Sequence, residues 1–324
     1  MMSRVIVDNP SKRLLMANPR GFCAGVTRAI SAVEEALRHF GAPVYVRRPI
    51  VHNRRVVDRL SAMGAVFVQE LDEVPKGSIA ILSAHGVASS ILHEAAERDL
   101  RVLDTTCPLV ARVHRQVADY YHAGRMILLV GHRGHPEIVG TVGQLPAGAI
   151  IVVGSAAEVK ALELAEDTPV AYAVQTTFAM QEAAGIIAAI ERRFSDVAQP
   201  RSSDICYATT NRQSAVAQIA VQAEHVLVVG DEMSSNARRL VEVALSAGCP
   251  GASLVTGAER LDVDRLADLQ TIGLTAAASS PPEAIDDVRF ALEAQGFMAE
   301  EVAGRIETAV FRPVSVAFSP SVGP

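Results

Sequence analysis

The chain has 324 residues, of which 49% are hydrophobic, 20% are charged and 4% are aromatic. Its net charge of −6 gives no basic surface of the kind that nucleic-acid-binding proteins need, so we expect no nucleic-acid partner. No 18-residue apolar stretch is present, and the first 20 residues lack the basic-then-apolar order of a signal peptide. We therefore expect a cytoplasmic protein without a membrane partner.

Strand and helix patterns alternate along the chain in three similar units. A short strand at 13–18 precedes Cys23, and apolar residues at helical spacing predict a helix between Cys23 and Gly41. The other predicted elements are, in chain order, a strand at 43–46, a helix at 54–63, strands at 65–68 and 78–83, a helix at 110–121, strands at 126–130, 149–153 and 169–174, a helix at 214–223, a strand at 225–229, a helix at 237–247, and strands at 253–255 and 270–275.

This alternation indicates an α/β protein with parallel sheets. We expect three similar α/β domains with small parallel sheets in a pseudo-threefold arrangement. The predicted boundaries are an N-terminal extension at 1–12, domains at 13–106, 107–203 and 204–311, and a C-terminal arm at 312–324. The first strand is also a candidate to pack with the third domain, and 195–203 is expected to be a linker.

Each unit carries one cysteine followed by polar residues at nearly constant distances. The cysteines are Cys23, Cys107 and Cys206. His52, His135 and Asn236 follow them after 29, 28 and 30 residues, and His85, Thr176 and Ser279 follow after 62, 69 and 73 residues. Because the polar residues come after strands, parallel sheets would place them at the ends where ligands bind. The pattern predicts one shared site with a contribution from every unit.

Three explanations compete for the cysteines. Burial as a small apolar residue suits Cys249, which has no equivalent in the other units. Structural zinc sites usually use closely spaced cysteine pairs, whereas these cysteines are 84 and 99 residues apart. Three thiolates also suit an iron–sulfur cluster, and a [4Fe–4S] cluster with three cysteine ligands would keep one open iron to bind a substrate oxygen. This third explanation favours reductive or dehydrating chemistry on a hydroxyl-bearing substrate at the centre of the three domains.

The polar residues around the cysteines fit an anion. His52, His85 and His135 are alternatively helix caps or surface groups, but their equivalent positions favour a binding role. Ser234, Ser235 and Asn236 precede a predicted helix, where free N–H groups attract a phosphate. A plain helix cap would need only one such residue.

Glu137 stands two residues after His135, with Pro136 between them. A carboxyl group beside a cluster and an anion can have a raised pKa and act as a proton donor. The competing interpretation is an acid in the first turn of a helix, where the helix dipole favours it. Thr176 of the same unit is a candidate proton relay.

The motifs resemble those of the 4-hydroxy-3-methylbut-2-enyl diphosphate reductase family. The matching segments are 18–25 (NPRGFCAG), 51–53 (VHN), 83–86 (SAHG), 105–110 (TTCPLV), 134–137 (GHPE), 175–177 (QTT), 204–213 (DICYATTNRQ) and 234–236 (SSN). The resemblance extends from about residue 14 to residue 311. It implies an iron–sulfur enzyme that removes the allylic hydroxyl of its diphosphate substrate as water in the last step of the methylerythritol phosphate route, with isopentenyl and dimethylallyl diphosphates as products.

The resemblance also implies roles for single residues. Cys23, Cys107 and Cys206 would hold the [4Fe–4S] cluster. The diphosphate ligands would be His52, His85, His135, Ser234, Ser235, Asn236 and Ser279. His135, Thr176 and Glu137 would surround the hydroxyl group and C4, with Glu137 as the proton source. A ferredoxin or flavodoxin type donor would supply the electrons.

The chain departs from the family pattern near Ser279, where Ala277 replaces a residue that is commonly glycine and Pro282 follows a second serine. Two alternative functions remain at this stage. One is a quinolinate-synthase-like dehydratase with a three-cysteine [4Fe–4S] cluster, which would need a carboxylate site. The other is a non-catalytic iron–sulfur sensor, in which Glu137 and Thr176 would be dispensable.

Overall fold

The computed structural model describes residues 12–316. Its strands are β1 (Lys12–Met16), β2 (Val44–Arg47), β3 (Ala65–Val68), β4 (Ile79–Leu82), β5 (Arg101–Asp104), β6 (Met126–Val130), β7 (Ile150–Val153), β8 (Val170–Val174), β9 (Val197–Ala198), β10 (His225–Val229), β11 (Ala252–Val255), β12 (Thr271–Ala276) and β13 (Phe297–Glu301). Its α-helices are α1 (Ala24–Phe40), α2 (Arg54–Ala62), α3 (Ser89–Glu97), α4 (Pro108–His122), α5 (Pro136–Val142), α6 (Ala156–Lys160), α7 (Met180–Arg193), α8 (Tyr207–Ala220), α9 (Ser235–Ser246), α10 (Val263–Leu266) and α11 (Pro282–Glu293).

These strands form three small sheets. The first sheet has the order β3-β2-β4-β5, the second β7-β6-β8-β9 and the third β11-β10-β12-β1-β13. The strand pairings described are parallel in all three sheets. The prediction of an α/β protein with three small parallel sheets is confirmed.

The three sheets share one internal plan. Each has a central pair of strands that end opposite each other, and the residues paired there are Arg47 with Leu82, Val130 with Val174, and Val229 with Ala276. The strand beside each pair leads along the chain to a cysteine: β5 to Cys107, β9 to Cys206 and β1 to Cys23. The cysteine therefore closes each structural repeat, whereas the sequence pattern had placed it at the start. The reason is that β1 pairs with β12 and β13 of the third sheet.

Helices cover both faces of the second and third sheets. Successive strand residues point to opposite faces, so Leu128 and Val130 join one apolar cluster while Ile127 and Leu129 join another. β1 divides in the same way, with Leu14 on one face of the third sheet and Leu15 on the other. Burial on both faces explains why these strands are continuous apolar runs without a polar alternation.

Several local predictions need correction. The expected linker at 195–203 contains β9, which pairs with the first two residues of β8. With two residues, β9 is too short to show a periodicity. α8 begins at Tyr207 and not at 214, because its first two turns bury polar side chains, such as Thr209 and Arg212, and give no apolar pattern. The helices α3, α5, α6, α7, α10 and α11 and the strands β5, β9 and β13 were not predicted.

The described residues divide into two compact units, 23–210 with 308–316 and 12–22 with 211–307. The first and second sheets lie in the former and the third sheet in the latter. The three domain boundaries predicted from the sequence stay a prediction. Of the predicted extension at 1–12 only Lys12 is described, and 317–324 of the predicted arm lie outside the described residues. Between residues 12 and 316, no helix is both long enough and apolar enough to span a membrane.

Candidate active site

All three repeat cysteines stand at the start of a long helix. Cys23 and Cys107 are the N-cap residues of α1 and α4, and Cys206 directly precedes α8. The backbone N–H of Thr209 donates to Cys206 Sγ at 3.3 Å. Free N–H groups and the helix dipole at such positions stabilise a thiolate over a neutral thiol. The three sulfur atoms therefore share the same position relative to a helix.

The cysteine sulfurs approach each other where a glycine leaves room. A Cβ atom built on Gly25 would lie 2.9 Å from Cys107 Sγ and 3.8 Å from Cys23 Sγ. A side chain at this position would collide with the Cys107 sulfur. Gly25 therefore keeps open the space next to the two thiols, a role that its place in the segment 18–25 does not reveal.

Burial raises the pKa of the Cys107 thiol to about 11, with the nearby Cys23 sulfur adding to the shift. Burial likewise raises the pKa of Cys206 to about 12, with contributions from Cys23 and Cys107. The Cys107 and Cys206 thiols are therefore protonated at neutral pH and would release protons on binding a metal. No group of three or more His, Cys, Asp or Glu side chains within 12–316 is placed to hold a single metal ion. Three thiols beside an open space are a donor set that fits an iron–sulfur cluster.

The three predicted histidines form a triangle. The ring centroids lie 4.4 Å apart for His52 and His85, 6.3 Å for His52 and His135, and 6.1 Å for His85 and His135. Burial lowers the pKa of His85 well below 6.5, and the positive charges of His52 and His135 would lower it further. An anion among the rings would instead favour the protonated, charged form of His85, because the negative charge would compensate the positive charges of the rings. The histidine triangle is suited to bind an anion together with protons.

Close backbone packing brings His85 and His135 together across the first two sheets. A Cβ atom on Gly140 of α5 would lie 2.9 Å from the carbonyl oxygen of Gly86. Gln144 Nε2 donates to the carbonyl oxygen of Val87 at 2.7 Å. Gly140 and Gln144 were not predicted as site residues, and neither carries a sequence signal beyond its position after the 134–137 motif.

Glu137 and Thr176 are joined by two hydrogen bonds. The Thr176 backbone N–H donates to Glu137 Oε1 at 2.6 Å, and Thr176 Oγ1 lies 2.8 Å from Glu137 Oε2. Glu137 is 2% exposed. Burial raises the pKa of its carboxyl group to about 7, and the bonds from Thr176 oppose this shift. The group can therefore hold a proton near neutral pH, as a general acid must.

Neighbouring backbone groups fix the orientation of this pair. The N–H of Glu137 donates to His135 Nδ1 at 3.2 Å, so a neutral His135 carries its proton on Nε2. The N–H of Cys206 donates to the carbonyl oxygen of Thr176 at 3.0 Å. Thr176 therefore contacts both the carboxyl group and the backbone of a candidate cluster ligand.

Asn236 stands out in the third sheet's unit. It is 7% exposed, and neither its side-chain oxygen nor its side-chain nitrogen has a hydrogen-bond partner. Ser234 caps α9 by accepting the N–H of Ala237 at 3.2 Å, so one serine suffices as the cap. A buried amide without partners is costly unless a ligand satisfies it. Ser235 and Asn236, in the first turn of α9, need another explanation than capping.

Ser279 lies in a turn after β12, and Asn236 follows β10, the neighbouring strand. Ala277 is fully buried, and its Cβ would lie 3.3 Å from a Cβ on Gly230. The side chain that departs from the family pattern is thus packed against a glycine that has room for it. Ser280 Oγ donates to the carbonyl oxygen of Val229 at 2.8 Å and secures the turn.

His132 and Cys249 lie in different surroundings from the site residues above. His132 stacks on Phe178 with ring centroids 4.7 Å apart, and its backbone N–H donates to Gln175 Oε1 at 3.0 Å. Gln175 is buried and orders the loop that leads to His135, a role that the sequence analysis missed. Cys249 is buried in an apolar cluster, as expected.

The compact unit 23–210 with 308–316 holds the three repeat cysteines, the histidine triangle, Glu137 and Thr176. The other unit holds Ser234, Ser235, Asn236 and Ser279.

Comparison with known proteins gives a consistent result. The family model described as LytB protein matches residues 14–293. The chain is 51% identical to the 4-hydroxy-3-methylbut-2-enyl diphosphate reductase of Burkholderia pseudomallei, over 93% of this chain and 96% of the relative. It is 49% identical to the enzyme of the same name from Zymomonas mobilis, over 93% of this chain and 88% of the relative.

A solved structure is also similar, that of the E-1-hydroxy-2-methyl-but-2-enyl-4-diphosphate reductase from Plasmodium falciparum. Its TM-score is 0.91 at 36% identity, and the match covers 94% of this chain and 96% of that chain.

Proposed function

The chain belongs to the LytB family of 4-hydroxy-3-methylbut-2-enyl diphosphate reductases, which are iron–sulfur enzymes, and we propose that it catalyses this reduction with a [4Fe–4S] cluster held by Cys23, Cys107 and Cys206. The reaction consumes two electrons and two protons. It breaks the C–O bond of the allylic hydroxyl group and releases water, with isopentenyl and dimethylallyl diphosphates as products. This is the terminal step of the non-mevalonate route to isoprenoids.

One observation carries the proposal. The buried Glu137 carboxyl group, with a pKa of about 7, bonds to Thr176, and the carbonyl oxygen of Thr176 accepts the N–H of Cys206. A candidate proton donor, Glu137, is therefore linked through a single residue, Thr176, to Cys206, one of the three repeat cysteines. Neither a sensor nor a structural cluster needs a protonated carboxyl group at this position.

The cluster would be bound by the three thiols at the helix starts, with Gly25 leaving the space beside them. When bound, it supplies electrons one at a time and an open iron that polarises the substrate hydroxyl group. Since burial raises the pKa values of Cys107 and Cys206, these two thiols would release protons when the cluster binds.

The diphosphate would be bound by His52, His85 and His135 and by Ser234, Ser235, Asn236 and Ser279. The histidine triangle supports this assignment because three rings lie within 6.3 Å of each other, and burial keeps His85 neutral until an anion beside it favours its charged form. Asn236 supports it because its amide lacks protein partners. Hydrogen bonds from the neutral serine and asparagine side chains add affinity without an extra buried charge.

Proton delivery would run from Glu137 through Thr176. A protonated Glu137 donates from Oε2 to Thr176 Oγ1, which leaves the threonine O–H to donate to the substrate oxygen. The Thr176 backbone N–H remains bonded to Oε1 and stabilises the carboxylate that results. His135 Nε2–H provides a further donor.

We also propose a ferredoxin or flavodoxin type protein as the electron donor, and the cytoplasm as the compartment. Both follow from the family resemblance. The quinolinate-synthase-like and sensor alternatives are disfavoured, because the relatives compared above are named as the diphosphate reductase.

The test is an anaerobic assay of the reconstituted protein with the allylic diphosphate and a reduced donor, with iron content measured in parallel. We expect turnover and about four irons per chain in the wild type. Cys107→Ala should lose both, while Cys249→Ser should keep both, because Cys249 bonds only to the carbonyl oxygens of Ala223 and Gly251. An iron-loaded wild type that does not convert the diphosphate would exclude the proposed activity.

A further inference from the structure

Each cysteine helix carries one arginine about a turn and a half after its cysteine. Arg28 is five residues after Cys23, Arg112 is five residues after Cys107, and Arg212 is six residues after Cys206. The three arginines were not predicted to have a role. Their side chains make the same kind of contact, with backbone carbonyl oxygens far away in sequence.

Arg28 reaches the backbone just before Cys107. Its Nη1 donates to the carbonyl oxygens of Thr105 and Thr106 at 3.1 and 3.2 Å. Its Nε donates to the carbonyl oxygen of Arg312 at 2.9 Å. The two residues that lead into Cys107 are thus tied to the helix that begins at Cys23.

Arg112 reaches the backbone just before Cys206. Its Nη2 donates to the carbonyl oxygen of Ser203 at 2.6 Å, and its Nη1 donates to Ser202 Oγ at 3.1 Å. Its Nη2 also lies 3.9 Å from Asp204 Oδ1. The segment that leads into Cys206 is thus tied to the helix that begins at Cys107.

Arg212 reaches the backbone just before Cys23. Its Nε and Nη2 donate to the carbonyl oxygen of Gly21 at 3.0 and 2.6 Å, and Nη2 also donates to that of Phe22 at 3.2 Å. Glu307 Oε1 accepts from Nη1 at 2.9 Å and balances the buried charge. The Arg212 side chain is completely buried, whereas that of Arg112 is 35% exposed.

We propose that Arg28, Arg112 and Arg212 are positioning residues, each of which fixes the backbone that leads into the next cysteine of the repeat. The inference rests on the proposed role of the cysteines as cluster ligands. Apart from the carbonyl group of Arg312, the carbonyl groups that these guanidinium groups hold lie within three residues of a cysteine, so they determine where that helix starts and where its sulfur points. The planar guanidinium can hold two carbonyl oxygens in a fixed geometry, which a lysine cannot do. The three thiols are thereby arranged before the cluster binds.

The proposal is tested by the rate at which a chelator removes iron from the reconstituted protein, measured for Arg28→Lys, Arg112→Lys and Arg212→Lys. Groups that orient metal ligands typically contribute 10- to 100-fold to metal affinity. We expect iron loss to accelerate about 10-fold or more in Arg212→Lys, less in Arg28→Lys and least in the more exposed Arg112→Lys. The electron paramagnetic resonance spectrum of the reduced cluster should change in the same order.

Arg98→Lys is the matched control. Arg98 Nη2 donates to the carbonyl oxygens of Asp72 and Val74 at 3.0 and 2.8 Å, remote in sequence from every cysteine. This variant should lower the melting temperature of the metal-free protein without changing the rate of iron loss.

The proposal is overturned if Arg28→Lys and Arg212→Lys lose iron no faster than Arg98→Lys at a comparable loss of melting temperature. Should Arg212→Lys not fold, the comparison of Arg28→Lys with Arg98→Lys decides. Failure of the proposed function has a different signature, because an iron-loaded wild type would then not convert the diphosphate, whatever the rates of iron loss in the arginine variants.

Discussion

The first and second sheets have the same strand order and the same central register, yet their ligand-facing ends carry different chemistry. After β2 and β4 come His52 and His85, whose rings are 4.4 Å apart. After β6 and β8 come His135, Glu137 and Thr176, where a buried carboxyl group is bonded to a hydroxyl group. Burial acts on both sites, and in each it favours the neutral form.

The neutral form has opposite consequences at the two ends. A neutral imidazole at His85 has lost its proton, whereas a neutral carboxyl group at Glu137 has kept its proton. The same desolvation therefore prepares the first sheet to accept protons with an anion and the second to donate one. The two ends thus differ in chemistry on a shared scaffold, with two histidines at the first and a carboxyl–hydroxyl pair beside His135 at the second.

The largest effect is expected from a substitution that disrupts the second site alone. Glu137→Gln keeps the shape and the bond from the Thr176 N–H but removes the proton donor, so kcat should fall about 10²- to 10⁴-fold with little change in KM. Steady-state kinetics under anaerobic conditions measure this, with iron content as the control. Near-normal turnover at full iron content would remove Glu137 from the role of acid.

A change in the first site should act on binding. In His85→Asn the diphosphate loses a hydrogen bond from a chargeable group, which is typically worth about 1.5–3 kcal/mol. KM should therefore rise about 10- to 100-fold while kcat changes much less. The exposed His93 provides a control, since His93→Gln should leave both constants unchanged. A fall in kcat with unchanged KM would contradict the separation of the two sites.

Thr176→Val tests the relay within the second site. The substitution removes the Oγ1 contact with Glu137 and retains the backbone N–H bond, so we expect kcat to fall about 10-fold, less than in Glu137→Gln. Thr141→Val is the matched control, because the Thr141 hydroxyl donates to the backbone carbonyl oxygen of Glu137 and not to its carboxyl group. Equal losses in the two threonine variants would argue against a relay.

The smallest effect is the pH dependence of kcat/KM. The pKa of Glu137 is raised to about 7, so the carboxyl group is protonated below that pH and loses its proton as the pH rises through it. Between pH 6 and pH 7.5 the protonated fraction, and with it kcat/KM, should fall about fourfold. Glu137→Gln should lose this limb of the profile. Persistence of the limb in that variant would assign it to another group.

Much of the site could be predicted because its residues fall at fixed distances in a repeat. Cys23, Cys107 and Cys206, with the polar residues that follow them, are visible from spacing alone. Gly25, Gly140 and Gln175 were missed since their importance depends on which side chain or backbone lies opposite. The early start of α8 was missed because its buried side chains are polar.

The sequence by itself determined the alternation of strands and helices, the position of each cysteine ahead of a helix and the single acid of the second unit. These depend on local patterns, namely apolar periodicity, capping positions and residue type. Only the tertiary structure decided that β1 completes the third sheet, so that each cysteine closes a repeat, and that Arg28, Arg112 and Arg212 hold the backbone before the next cysteine. Strand pairing joins residues as far apart in sequence as Lys12 and Phe297, and a charge-to-carbonyl contact joins Arg28 to Arg312. No local pattern records such a partner.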